Sequence, residues 1–142
     1  MHDASIRMYH VRLSKLEDAA MKAMTPEDYL MQVKNIDLRL SSLEGELRAA
    51  HRERDAEYAE KLTSIIQEDL ERYKELKIRI RSEIQQLPDC RLGTLLMEYY
   101  VRGNTWDMVA EAIGIKDAKW VRTRLREKAL KLFAAYYPKY FI

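Results

Sequence analysis

The stretch TWDMVAEAIGIKDAKWVRTRLREKALKLF, residues 105–133, decides the fold of this chain. Thr105 has the side chain of a helix N-cap, and Gly114 can adopt the left-handed backbone conformation that ends a helix. A second helical pattern begins after Ile115, which is expected to be the apolar plug of the turn. The stretch therefore predicts two helices joined by a tight turn.

Both helices of this pair have an apolar side. In the first, small Ala110 would let the partner helix approach, and the expected buried stripe is Met108, Val109, Ala112 and Ile113. In the second, the residues that share one face are Ala118, Val121, Leu125, Ala129 and Leu132. The opposite face is polar and carries Lys119, Thr123, Arg126 and Glu127.

The second helix is also strongly basic. Residues 116–131 contain seven Lys or Arg and two acidic side chains. An apolar back, flanking cations for phosphates and a mixed polar front are what a DNA recognition helix requires. We therefore predict a helix-turn-helix, with a solvated cationic helix as the alternative. The predicted DNA-binding residues are Lys116, Lys119, Trp120, Arg122, Thr123, Arg124, Arg126, Glu127 and Lys131.

The residues around this segment include LPD at 87–89, YYV at 99–101, Gly103, TW at 105–106 and AL at 129–130. These motifs resemble region 4 of sigma-70-type factors, in particular the version in small phage-encoded transcriptional regulators of the ArpU and RinA kind. The upstream residues that resemble the opening helix of phage proteins in that group are Tyr29, Leu30, Val33, Ile36, Asp37 and Leu40. The resemblance covers roughly residues 25–133 and implies a DNA-binding regulator of phage or prophage genes.

One spacing departs from that pattern. Between Gly114 and Val121 there is one residue more than such motifs usually have. Either the turn is longer, or Trp120 takes the buried position in place of Val121. A tryptophan at this position is by itself more typical of a core than of a base contact. The recognition face is therefore defined to within one residue.

The charge distribution is asymmetric along the chain. The net charge is +2, but residues 1–89 hold 15 basic and 18 acidic side chains, whereas residues 90–142 hold 10 and 5. Positive charge is thus concentrated where the helix-turn-helix is predicted, as expected of a nucleic-acid-binding module.

Upstream of this region the sequence predicts an all-α arm. The order Thr25, Pro26, Glu27 is a strong helix start. A coiled-coil seam follows, loses its phase at 51–55 and resumes in a new phase up to Leu87. We expect an antiparallel hairpin of helices 26–51 and 56–87, with one long helix in a parallel dimer as the alternative. The first seam is Tyr29, Val33, Ile36, Leu40, Leu43, Leu47 and Ala50.

Two regions are therefore predicted. Residues 1–88 form the helical arm, which includes a first helix at 4–23 and serves oligomerisation or partner contact. Residues 89–142 form the helix-turn-helix domain, with a support helix at about 90–102 that Asp89 can cap. The C-terminal tail contains five aromatic residues in its last ten. We expect this tail to fold back onto the core, with a docking patch as the alternative.

The remaining features exclude several classes. The single cysteine, Cys90, excludes an internal disulfide and a cysteine-cluster metal site. The sequence lacks a membrane-length apolar run and a secretory leader, which predicts a cytoplasmic protein without membrane contact. The histidines are not at metal-ligand spacing, and there is neither a phosphate-binding glycine loop nor a nucleophile beside a base. We expect no enzyme activity, no cofactor and no small-molecule substrate.

The favoured hypothesis is a transcriptional regulator that binds promoter DNA, contacts or recruits RNA polymerase and forms a homodimer through the arm. The first alternative is a DNA-packaging recognition subunit of the small-terminase kind, which would form a large ring. The second is a coiled-coil interaction protein that does not bind DNA. The operator sequence, the number of protomers and the direction of regulation do not follow from the sequence.

Overall fold

The computed structural model describes residues 24–141. Helices and turns make up this part of the chain and it contains no strand, which confirms the all-α prediction. The helix predicted at 4–23 lies outside the described residues, as do His2 and His10.

Two long helices open the described chain. Helix α1 spans Pro26–Arg52, and the side chain of its N-cap, Thr25, accepts a hydrogen bond from the backbone N–H of Asp28. Helix α2 spans Ala56–Gln85 and is capped in the same way by Asp55. The turn between them places Arg54 at a φ of 56°. The break in the apolar pattern at 51–55 is therefore where the chain reverses.

The two helices pack antiparallel and form the hairpin. Tyr29, near the start of α1, donates a hydrogen bond to Glu83, near the end of α2. Midway along the hairpin, Arg39 Nε lies 3.1 Å from Asp69 Oδ2. The residues of the first seam are buried or half-buried, so this stripe is used within a single chain. The buried members are Tyr29, Val33, Leu40 and Ala50, and the half-buried ones are Ile36, Leu43 and Leu47.

Three shorter helices follow and form the head. Helix α3, Cys90–Leu96, is capped by Asp89 and continues into a π turn, Met97–Val101. Helix α4 spans Trp106–Ile113. Ala118–Trp120, a π turn Val121–Leu125 and Arg126–Tyr136 follow without a break and together form α5. A 3-10 turn, Pro138–Tyr140, ends the described chain.

One hydrophobic core joins the hairpin to the head. Tyr29, Leu30 and Val33 of α1 are buried in the same cluster as Tyr100 and Phe133 of the head. Pro88, where the predicted boundary between the two regions falls, lies between α2 and α3, and the core continues across it. The base of the hairpin therefore supports the head directly.

The aromatic tail packs against this base. The ring of Tyr140 stacks on Tyr29 with centroids 5.1 Å apart, and Phe141 meets the same ring edge-on at 5.9 Å. The Tyr137 hydroxyl donates a hydrogen bond of 2.7 Å to the Glu83 carbonyl oxygen. Burial, with the hydrogen bond to Glu83 second, raises the pKa of Tyr29 well above its ordinary range. The tail thus closes the core over the hairpin as well as over the head.

Candidate nucleic-acid interface

The turn between α4 and α5 has the geometry that its residues predict. The Thr105 side chain accepts a hydrogen bond from the Met108 N–H, and Gly114 ends α4 at φ 74° and ψ 30°, the left-handed region. The Ile115 N–H then donates to the Ala110 carbonyl oxygen at 2.9 Å. Such a bond satisfies one of the carbonyl groups left free at a helix end.

Helix α4 buries a narrower stripe than expected. Val109, Ala110 and Ile113 are buried, but Met108 is 51% exposed and Ala112 is also exposed. Met108 and Ala112 are four residues apart and so share one side of the helix. Because α4 packs on the core through its opposite side, the expectation that both were buried is wrong.

The burial of residues in α5 shows whether Val121 or Trp120 takes the core position. Val121 is fully buried, whereas Trp120 is 44% exposed. The extra residue therefore lengthens the turn, Asp117 caps α5, and Trp120 lies outside the core. Phe133 takes the buried position that the helical pattern assigned to Leu132, which is half-buried. The fully or nearly fully buried residues of α5 are Val121, Leu125, Ala129 and Phe133.

The π turn within α5 explains why the buried position shifts from Leu132 to Phe133. A π turn places one residue more in a helical turn than the α-helix does. The side chains after Leu125 are therefore rotated back about the helix axis by roughly 100°, which is the rotation of one residue in an α-helix. In an uninterrupted α-helix, Arg126 would lie on the same face as Lys119. The observed helix turns Arg126 away from that face and toward the hairpin.

Arg126 is held by the first turn of α1. Its Nη1 lies 2.9 Å from Glu27 Oε1, and both side chains are partly buried. The Tyr100 hydroxyl donates to the same carboxylate oxygen at 3.4 Å. Burial, and then the negative charge of Glu27, raises the pKa of Tyr100 above its ordinary range. This network joins α1, the π turn after α3, and α5.

The other predicted site residues are all exposed, and we call them together the basic face. Lys119, Thr123 and Glu127 follow each other at four-residue intervals and form its front. Within it, the Thr123 hydroxyl donates 2.8 Å to the Lys119 carbonyl oxygen, and Lys131 pairs with Glu127 at 3.6 Å. The basic face comprises Lys116, Lys119, Trp120, Arg122, Thr123, Arg124, Glu127 and Lys131, all of them exposed.

Some contacts that position this face were not predicted from the sequence. Tyr99 and Trp106 stack with ring centroids 3.9 Å apart, which fixes the start of α4 against the π turn that follows α3. The Lys34 ammonium lies 3.4 Å above the centre of the Tyr99 ring and ties both to α1. Lys128, outside the predicted set, is exposed and lines an open groove with Leu132 and residues 88–92. None of these pairings has a local sequence signal.

The described residues contain no cluster of three or more His, Cys, Asp or Glu side chains that could hold a metal ion. In the same part of the chain, no helix combines the length and the apolar character needed to cross a membrane. The side chains of the basic face offer five cations, one hydroxyl, one carboxylate and one indole.

No protein-family model matches this chain, and neither a curated protein nor a solved structure is significantly similar to it.

Proposed function

We propose that this protein is a sequence-specific DNA-binding transcriptional regulator, of phage or prophage genes, that acts at promoters by contacting or recruiting RNA polymerase. The observation that carries the proposal is the basic face of α5, exposed along its length and backed by buried Val121, Leu125 and Ala129. It follows a capped helix and a left-handed turn at Gly114. In this proposal α4 and α5 are a sigma-70 region-4-like helix-turn-helix, and α5 is the recognition helix.

The proposal gives the residues of the basic face two roles. Lys119 and Glu127, on the front of α5, hydrogen-bond to base edges. Flanking cations hold the phosphates and so set the orientation of the protein on the duplex. Those cations are Lys116, Arg122, Arg124 and Lys131. Arg126 has neither role, because its guanidinium is directed to Glu27.

The hairpin serves as the partner-binding arm in this proposal. One short recognition helix per chain gives limited specific affinity, so we expect a homodimer that reads two half-sites. The apolar seam is buried inside the hairpin, so a dimer would use its outward surface. Leu38 of α1 and Ile78 of α2 are each 69% exposed and are candidates for that contact. The same surface is available to RNA polymerase.

The proposal is tested by measuring the mass of the protein in solution and by selecting the DNA fragments that it binds. The full chain is measured by light scattering, alone and with genomic DNA fragments, and the fragments retained at roughly 150 mM salt are sequenced. A dimer that retains fragments sharing a promoter-proximal motif is the expected result. A large ring that retains one packaging locus would favour the small-terminase alternative. If no DNA fragment is retained, the remaining alternative is the coiled-coil interaction protein that does not bind DNA.

A matched pair of arginines tests the basic face itself. Arg124→Ala is expected to weaken binding to all duplexes alike and to reduce the salt dependence by about one phosphate contact. Arg48→Ala removes an exposed arginine from α1 and is the control, with unchanged affinity expected. Equal effects of the two substitutions would show that binding depends on total charge and not on the basic face.

A further inference from the structure

Trp120 is an unusual side chain for a basic face. It lies in the first turn of α5, next to Lys119 and three residues after the Asp117 cap, and 44% of it is exposed. Its indole N–H makes no hydrogen bond within residues 24–141. Val121, the next residue, is fully buried and fills the core position. Packing of the head therefore does not account for the indole of Trp120.

Thr123 adds a second apolar group to this turn. Its hydroxyl donates to the Lys119 carbonyl oxygen at 2.8 Å, so its hydrogen is used inside the helix. A hydroxyl bonded in this way is a weak candidate for donating to a base. The methyl group of Thr123 is then the group most available for a base contact. Trp120 and Thr123 thus give the start of α5 apolar surface between cations.

The chemistry of the major groove indicates what such a surface recognises. Thymine presents a C5 methyl group there beside its O4 acceptor, whereas adenine, guanine and cytosine present only hydrogen-bonding groups. The cations around Trp120 would bring the surface to DNA, and the N-terminal part of a recognition helix contacts base edges. We infer that the first turns of α5 read thymine methyl groups, with Trp120 as the principal contact and Thr123 as a second. This inference rests on the proposed function.

The test removes one methyl group at a time. A duplex is first selected by the full-length protein from a randomised library at roughly 150 mM salt. Each thymine of the selected site is then replaced by uracil, which lacks the C5 methyl and keeps the same hydrogen-bonding groups. Affinity is expected to fall by about fourfold at each contacted thymine, as follows from burial of one methyl group.

Protein variants assign the effect to its residue. In Trp120→Ala, uracil is expected to be bound as well as thymine at the position that Trp120 contacts. Trp120→Phe keeps an aromatic surface and is expected to keep a preference for thymine. Leu70→Ala removes an exposed apolar side chain from α2, at a position with no proposed contact, and is the control, with an unchanged preference expected.

The outcomes separate this inference from the proposed function. Failure to select any duplex would overturn both. A selected duplex that binds equally well with thymine or uracil at every position would overturn the inference and leave the proposed function standing. A thymine preference that persists unchanged in Trp120→Ala would also overturn it, because the methyl contact would then belong to another residue.

Discussion

Arg126 and Glu27 are 99 residues apart in the chain, and Arg126 Nη1 lies 2.9 Å from Glu27 Oε1. The pair fastens the middle of α5 to the first turn of α1. Tyr100 donates to the same carboxylate, so the hairpin, the support helix and the candidate recognition helix meet at one oxygen atom. The orientation of the basic face is thereby linked to the hairpin.

Arg126→Ala is expected to act on stability rather than on DNA affinity. It should lower the free energy of unfolding by roughly 1 kcal/mol, since the ion pair is partly exposed and the arginine stem also packs. Urea unfolding measures the first effect, and a binding titration of the selected duplex measures the second. Arg124→Ala is the matched control, with the opposite pattern expected. A base-specific loss of affinity in Arg126→Ala would show that its guanidinium leaves Glu27 to reach DNA.

Gly114→Ala should destabilise the head by about 1–2 kcal/mol, because a residue with a Cβ is strained in the left-handed region. Beyond Gly114 and its two chain neighbours, no atom lies within 4 Å of the position that a Cβ would take, so the cost is conformational and not a clash. Asn tolerates this conformation better, and Gly114→Asn is expected to be milder.

Gly45→Ala is the control for that prediction. Gly45 lies inside α1, and a Cβ there would meet the flexible end of Arg48 at 3.7 Å, an ordinary contact. This substitution should stabilise the protein by up to about 1 kcal/mol, since alanine favours helix interiors over glycine. Thermal unfolding of the three variants measures the contrast. A Gly114→Ala protein as stable as the unsubstituted chain would contradict the assigned turn conformation.

Features encoded by neighbouring residues were predictable from the sequence. Thr25, Asp89 and Thr105 cap helices as expected, and Gly114 ends α4, because a cap depends on residues within one turn of it. The break in the seam at 51–55 likewise identified the reversal of the chain. The all-α class follows from the same local patterns.

The site was less predictable because distant packing alters it. The π turn at Val121–Leu125 rotates the rest of α5, and this moved Arg126 off the face where α-helical periodicity had placed it. The acidic Glu27 was recognised as part of a helix start, but its partner lies 99 residues away and has no local signal. Exposure of Met108 and Trp120 depends in the same way on which side of each helix the core covers.

The hydrogen bond from Tyr137 to Glu83 is expected to hold the aromatic tail against the core and so to stabilise the fold. Tyr137→Phe removes the hydroxyl that donates 2.7 Å to the Glu83 carbonyl oxygen and should lower the free energy of unfolding by about 1 kcal/mol. Tyr136→Phe is the control, since Tyr136 is 47% exposed and its hydroxyl makes no hydrogen bond among the described residues. Equal urea midpoints for both variants would show that the tail bond does not contribute to stability.

Alkaline pH should weaken the packing of the aromatic tail against the core. Burial, and then the negative charge of Glu83, raises the pKa of Tyr137 from 10.0 to about 12. The folded state thus holds this proton more tightly than the unfolded chain does. The contribution to stability is fully present below about pH 10 and is lost as the pH rises toward 12. Urea unfolding across this range should show falling stability, with a smaller fall in Tyr137→Phe. An identical fall in both proteins would assign the effect to the other buried tyrosines.

Thr123 lies on the front of the basic face. Its hydroxyl donates to the Lys119 carbonyl oxygen at 2.8 Å, so a valine, which keeps the methyl group and the side-chain shape, should bind the selected duplex within about twofold of the unsubstituted protein. Thr123→Ala also removes the methyl group and should weaken binding by about fourfold if that group contacts a thymine. Titration of both variants against the same duplex measures the difference. Weak binding by Thr123→Val with loss of discrimination at one base pair would mean that the hydroxyl turns outward on DNA and reads that base.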